Sequence, residues 1–105
     1  MEKDILNKKE CGWLKINEDE KQSIFNYCNS YIEFLNKCKT EREASNYIVD
    51  KLKNNGFIDI NTVESVKTGD KLYMQNRNKS VYAAIIGDDL LSGLNIIGSH
   101  IDSPR

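Results

Sequence analysis

The repeat of apolar side chains changes once along this chain, from steps of three and four residues before Asn55 to steps of two after Gly69. A helix turns every 3.6 residues and a strand alternates every two, so no single element satisfies both repeats. The change therefore confines the first half to helices and the second to a sheet. In the first half Ile24, Cys28, Tyr31, Leu35 and Cys38 form one stripe, widened by Phe25, Ile32 and Phe34. Asn17 stands where a cap accepts a backbone N–H bond, and Glu18, Asp19 and Glu20 place negative charge at the positive end of the helix dipole. These residues predict a helix from about Glu18 whose stripe packs against a substantial surface.

A second helix follows. Thr40 and Glu43 match the capping box, in which hydroxyl and carboxylate each satisfy a backbone donor. Ala44, Ile48 and Leu52 share a face, and Asn54, Asn55 and Gly56 supply a left-handed stop near Asn55. The helix pair thus occupies about residues 17–56, behind an irregular arm at residues 1–16. Residues 57–60 suit a short extended piece, and the polar stretch 61–69 is left without an element.

From Lys71 the pattern is that of strands, over about residues 70–99. Leu72 and Met74 take one face, Tyr73 and Gln75 the other, and residues 76–79 offer a turn. Residues 80–86 are apolar on both faces, which predicts a strand covered on both sides and paired with its predecessor as an antiparallel hairpin. Residues 94–97 read as a third short strand leading into residues 98–105. The fold class is α/β: two N-terminal helices, then an antiparallel hairpin and a third strand.

Composition removes several functions. Fifteen basic and sixteen acidic residues leave a formal net charge of −1, too little field to draw the chain to nucleic acid or anionic lipid. No apolar run approaches the roughly 20 residues that cross a bilayer. The charged N-terminus lacks the apolar core of a signal peptide, so a cytoplasmic location is expected. Cys11, Cys28 and Cys38 are odd in number and widely spaced, and read as reduced thiols. A nucleophilic Cys11 or Cys38 with His100 as base has nothing in the sequence to place the pair together.

The chemistry gathers at the last residues. His100 is the only histidine, and Asp102 stands two positions on, where an extended backbone projects both side chains to one side. A metal-bound imidazole needs its second ring nitrogen held by an acceptor, a role open to Asp102. Gly98 and Ser99 keep bulk away from the imidazole, and Pro104 keeps Ser103 out of the helical region. A histidine and an aspartate at this spacing are common in unrelated proteins; their context is more specific.

That context, residues 72–86 followed by residues 95–105, resembles the aspartyl aminopeptidase family of zinc metallopeptidases, with Gly98, Ser99, His100, Asp102, Ser103 and Pro104 matching the family's Gly-Ala/Ser-His-x-Asp-Ser-Pro in order. The likeness extends more loosely back to about Ile24. It implies that His100 binds one of two catalytic zinc ions, that Asp102 supports it as a catalytic residue, and that the substrate is a peptide shortened from its N-terminus, with acidic N-terminal residues as the family's named preference. It also implies a homo-oligomer in the full-length protein. Family members are several times longer, so the chain is expected to be the N-terminal portion of an α/β catalytic domain, cut short after residue 105 and inactive alone. The competing reading is a non-catalytic structural or interaction module.

Overall fold

The computed structural model describes residues 9–102, which divide into two compact units, one ending at Glu33 and one starting at Phe34. The first unit holds a turn of 3-10 helix, Gly12–Lys15, and most of helix α1, Glu18–Lys37. The cap at Asn17 is reciprocal: Glu20 N–H donates to Asn17 Oδ1 at 2.8 Å, and Asn17 N–H donates to Glu20 Oε2 at 2.9 Å. Glu20 thus does more than complement the dipole, because it closes a capping box with asparagine as the first member. Trp13, within the arm, meets Phe25 edge to face at 6.0 Å, with the Lys21 ammonium 5.5 Å from the indole centroid. Among the described residues none of α1 is buried, and at its C-terminal end, inside the second unit, Phe34 meets Tyr47 of the next helix edge to face at 5.2 Å.

In the second unit, helix α2 spans Glu41–Asn54. Its N-terminus is capped by the Thr40 hydroxyl, which accepts the Glu43 N–H at 3.2 Å, one of the two bonds expected of a capping box. Its last turn ends in a Schellman motif: Phe57 N–H donates to Leu52 C=O at 3.0 Å and Gly56 N–H to Lys53 C=O at 3.1 Å. This geometry requires the left-handed φ of 85° at Gly56, which a Cβ would oppose. The Lys71 ammonium, 3.4 Å from the Asn55 carbonyl and 5.7 Å from the Phe57 ring, adds positive charge where the helix dipole is negative.

The sheet has order β1-β2-β3, formed by Ile58–Asp59, Lys71–Asn76 and Ser80–Ile85. Strands β2 and β3 form the expected antiparallel hairpin, in register from Lys71 opposite Ile85 to Asn76 opposite Ser80. The turn closes with Lys79 N–H on Asn76 C=O at 3.0 Å, and its central residues Arg77 and Asn78 have φ of 53° and 56°. Paired positive φ values match the right-handed strand twist; asparagine tolerates them, but arginine has no such local compensation.

One strand changes place. The third strand is β1, ahead of the hairpin and parallel to β2, with Ile58 opposite Leu72 and Asp59 opposite Tyr73. Residues 94–97, expected to be that strand, have no strand partner among the described residues. They and residues 81–85 of β3 line one hollow of about 590 Å³. Strand β3 is an edge strand of the described sheet, and Tyr82, Ala83, Ala84 and Ile85 are exposed where cover on both faces was expected.

The core is small: Ala44, Ser45 and Val49 of α2 with Leu72 and Tyr73 of β2. Gln75 shares a strand face with Tyr73, and its amide reaches α2, donating to Ser45 Oγ at 2.8 Å and Asn46 Oδ1 at 2.9 Å. Ser45 is fully buried, so its hydroxyl depends on protein partners. Gln75→Ala is expected to lower stability by about 1–2 kcal/mol in urea denaturation, from lost bonds and a buried hydroxyl deprived of its donor; a change within about 0.3 kcal/mol would show the contact to be incidental. Arg77→Gly, which removes a side chain from a left-handed position, is expected to raise stability by about 0.5–1 kcal/mol by the same measurement; destabilisation would contradict the assigned turn.

Candidate metal centre

The hairpin hands the chain to residues 86–102, where order comes from local bonds. Gly69 N–H donates to Ile86 C=O at 2.7 Å and Ile86 N–H to Asp70 C=O at 2.9 Å, fastening the exit of β3 to the entry of β2. Asp89 then caps a 3-10 turn, Leu90–Ser92, accepting the Leu91 N–H at 3.1 Å and the Ser92 hydroxyl. These donors, the Ser92 hydroxyl foremost, hold its carboxyl below the ordinary aspartate value. Asp89 is thereby committed to a structural turn.

Residues 93–102 carry no regular secondary structure and end at His100 and Asp102, whose side chains remain 74% and 67% exposed. The ring Nδ1 lies 2.7 Å from the Asp102 backbone oxygen and 3.2 Å from its Oδ1. A carbonyl oxygen can only accept, so this contact requires Nδ1 to carry the proton and donate. In the neutral ring the lone pair then resides on Nε2, the form in which imidazole binds a metal. The expected partnership of His100 and Asp102 is present in the structure, but its shorter arm is a main-chain oxygen that residue type could not reveal.

Of the motif's other members, Gly98 and Ser99 are described and exposed, and the rest lie outside the described residues. A Cβ added at Gly98 would meet nothing within 4 Å, so no crowding there requires glycine among the described residues. Ser103, Pro104 and Arg105 lie outside the described residues, as do residues 1–8 of the arm. Cysteine chemistry gains no support. All three thiols are free, and Cys38, whose Sγ lies 3.6 Å from the Glu43 carbonyl, has its pKa raised by burial and then by the Glu43 charge. A nucleophilic thiol needs the opposite shift.

The donor set determines what metal chemistry fits. One imidazole with a free Nε2 fits one position in a zinc coordination sphere, whereas a catalytic zinc takes about three protein ligands. Among the described residues no three His, Cys, Asp or Glu side chains come together to hold an ion. No described helix is long and apolar enough to cross a membrane.

Comparisons with known proteins assign the chain to a family. The family model for aminopeptidase I zinc metalloproteases, M18, matches residues 34–105. The probable M18 family aminopeptidase 1 of Borrelia garinii is 46% identical over 99 residues, 93% of this chain and 22% of that protein. Its namesake in Clostridium acetobutylicum is 33% identical over 110 residues, 100% of this chain and 24% of that protein. The crystal structure of aminopeptidase I from Borrelia burgdorferi B31 superposes with a TM-score of 0.85 at 44% identity, covering 91% of this chain and 24% of that one. The chain belongs to the M18 family of zinc metalloproteases, and it spans about a quarter or less of the length of these relatives.

Long-range proton–nitrogen NMR of the His100 ring tests the geometry. The neutral ring is expected to be mainly the Nδ1–H tautomer, with that preference reduced in Asp102→Ala. A majority of Nε2–H in the unaltered chain would show that Asp102 does not hold the ring.

Proposed function

We propose that this chain contributes to a zinc-dependent aminopeptidase that removes N-terminal residues from peptides, with His100 as one metal ligand through Nε2 and Asp102 fixing the ring. The observation that carries the reading is the Nδ1 contact with Asp102, which leaves Nε2 open, in a segment matched by a zinc metalloprotease family. Zinc supplies such a reaction with Lewis-acid polarisation of the scissile carbonyl and a water of lowered pKa. The part of this chain's residues is narrower. His100 presents a neutral nitrogen, and Asp102 keeps its orientation and proton in place, reducing the reorganisation that binding a metal would require.

The finer features belong to the same proposal. Two zinc ions share the centre, of which His100 serves one, and the remaining ligands and the general base come from outside residues 9–102. Acidic N-terminal residues are the preferred substrates, the working enzyme is a homo-oligomer in the cytoplasm, and residues 1–105 alone are inactive. Support for the last point is physical: a single exposed imidazole does not repay the dehydration of a zinc ion as a full ligand set does.

The experiment is hydrolysis of aminoacyl-amide substrates, including N-terminal Asp and Glu, by the full-length gene product with zinc. His100→Ala is expected to lower kcat/KM by at least about 100-fold and Asp102→Ala by about 10- to 100-fold, with the fold retained by circular dichroism. An active enzyme indifferent to His100→Ala would overturn the ligand assignment, and a folded, zinc-loaded product inert on every N-terminal residue would overturn the activity.

A further inference from the structure

We draw no further inference here: the strongest candidate, the hollow of exposed apolar side chains shared by the outer edge of β3 and residues 93–97, is an unpartnered face and nothing in the structure shows what covers it.

Discussion

The seating of β2 on α2 is the contact on which the second unit depends. Strand β2 is the only strand with hydrogen-bonded neighbours on both sides in the described sheet, and among the described residues it supplies two of the five that are buried, Leu72 and Tyr73. Burial alone would let the strand slide, because apolar contact has little directional preference. The Gln75 amide removes that freedom: its two donors meet two acceptors on consecutive residues of α2. A shift of one residue would put Gln75 on the other face and leave the buried Ser45 hydroxyl without this donor. Register in β2 fixes register in β3, and β3 fixes where the chain departs towards His100.

From that point the structure changes character. The helices and hairpin are held by caps, a Schellman motif and a cross-element amide, whereas residues 93–102 have no regular secondary structure. Within this stretch His100 is nevertheless oriented, because Asp102 supplies a carbonyl and a carboxylate oxygen to the same ring nitrogen. Orientation by a neighbour two residues away needs no surrounding core. A histidine can therefore be prepared for a metal before the rest of a coordination sphere is in place. Affinity is another matter, since zinc binding rises with the number of ligands held together.

The sequence disclosed much of what rests on local chemistry. The start of α1 at Glu18, the Thr40 cap, the end of α2 near Asn55 and the hairpin through residues 76–79 depend on residues within a few positions of each other, and all were legible. The exchange of β1 for residues 94–97 as third strand was not legible, because pairing depends on which backbone lies alongside. Residues 94–97 are as strand-like as Ile58–Asp59, but only the latter have β2 beside them. The apolar pattern of β3 misled for a related reason: it records a preference for cover, and cover comes from other elements. The Gln75 contact spans thirty residues to Ser45 and no spacing rule points to it. At the centre, the pairing of His100 with Asp102 followed from side-chain alternation and from the family motif, while the nearer carbonyl arm depends on the path of the backbone.

The central claim is that the described residues furnish one zinc ligand of a larger set. Calorimetric titration of zinc into the isolated, reduced 105-residue chain, with His100→Ala alongside, tests it most directly. Binding no tighter than about micromolar is expected, with His100→Ala weakening whatever heat is seen. Stoichiometric submicromolar binding by the monomeric chain, lost in His100→Ala, would contradict the claim, because it would mean that residues 1–105 already assemble a complete metal site around that histidine.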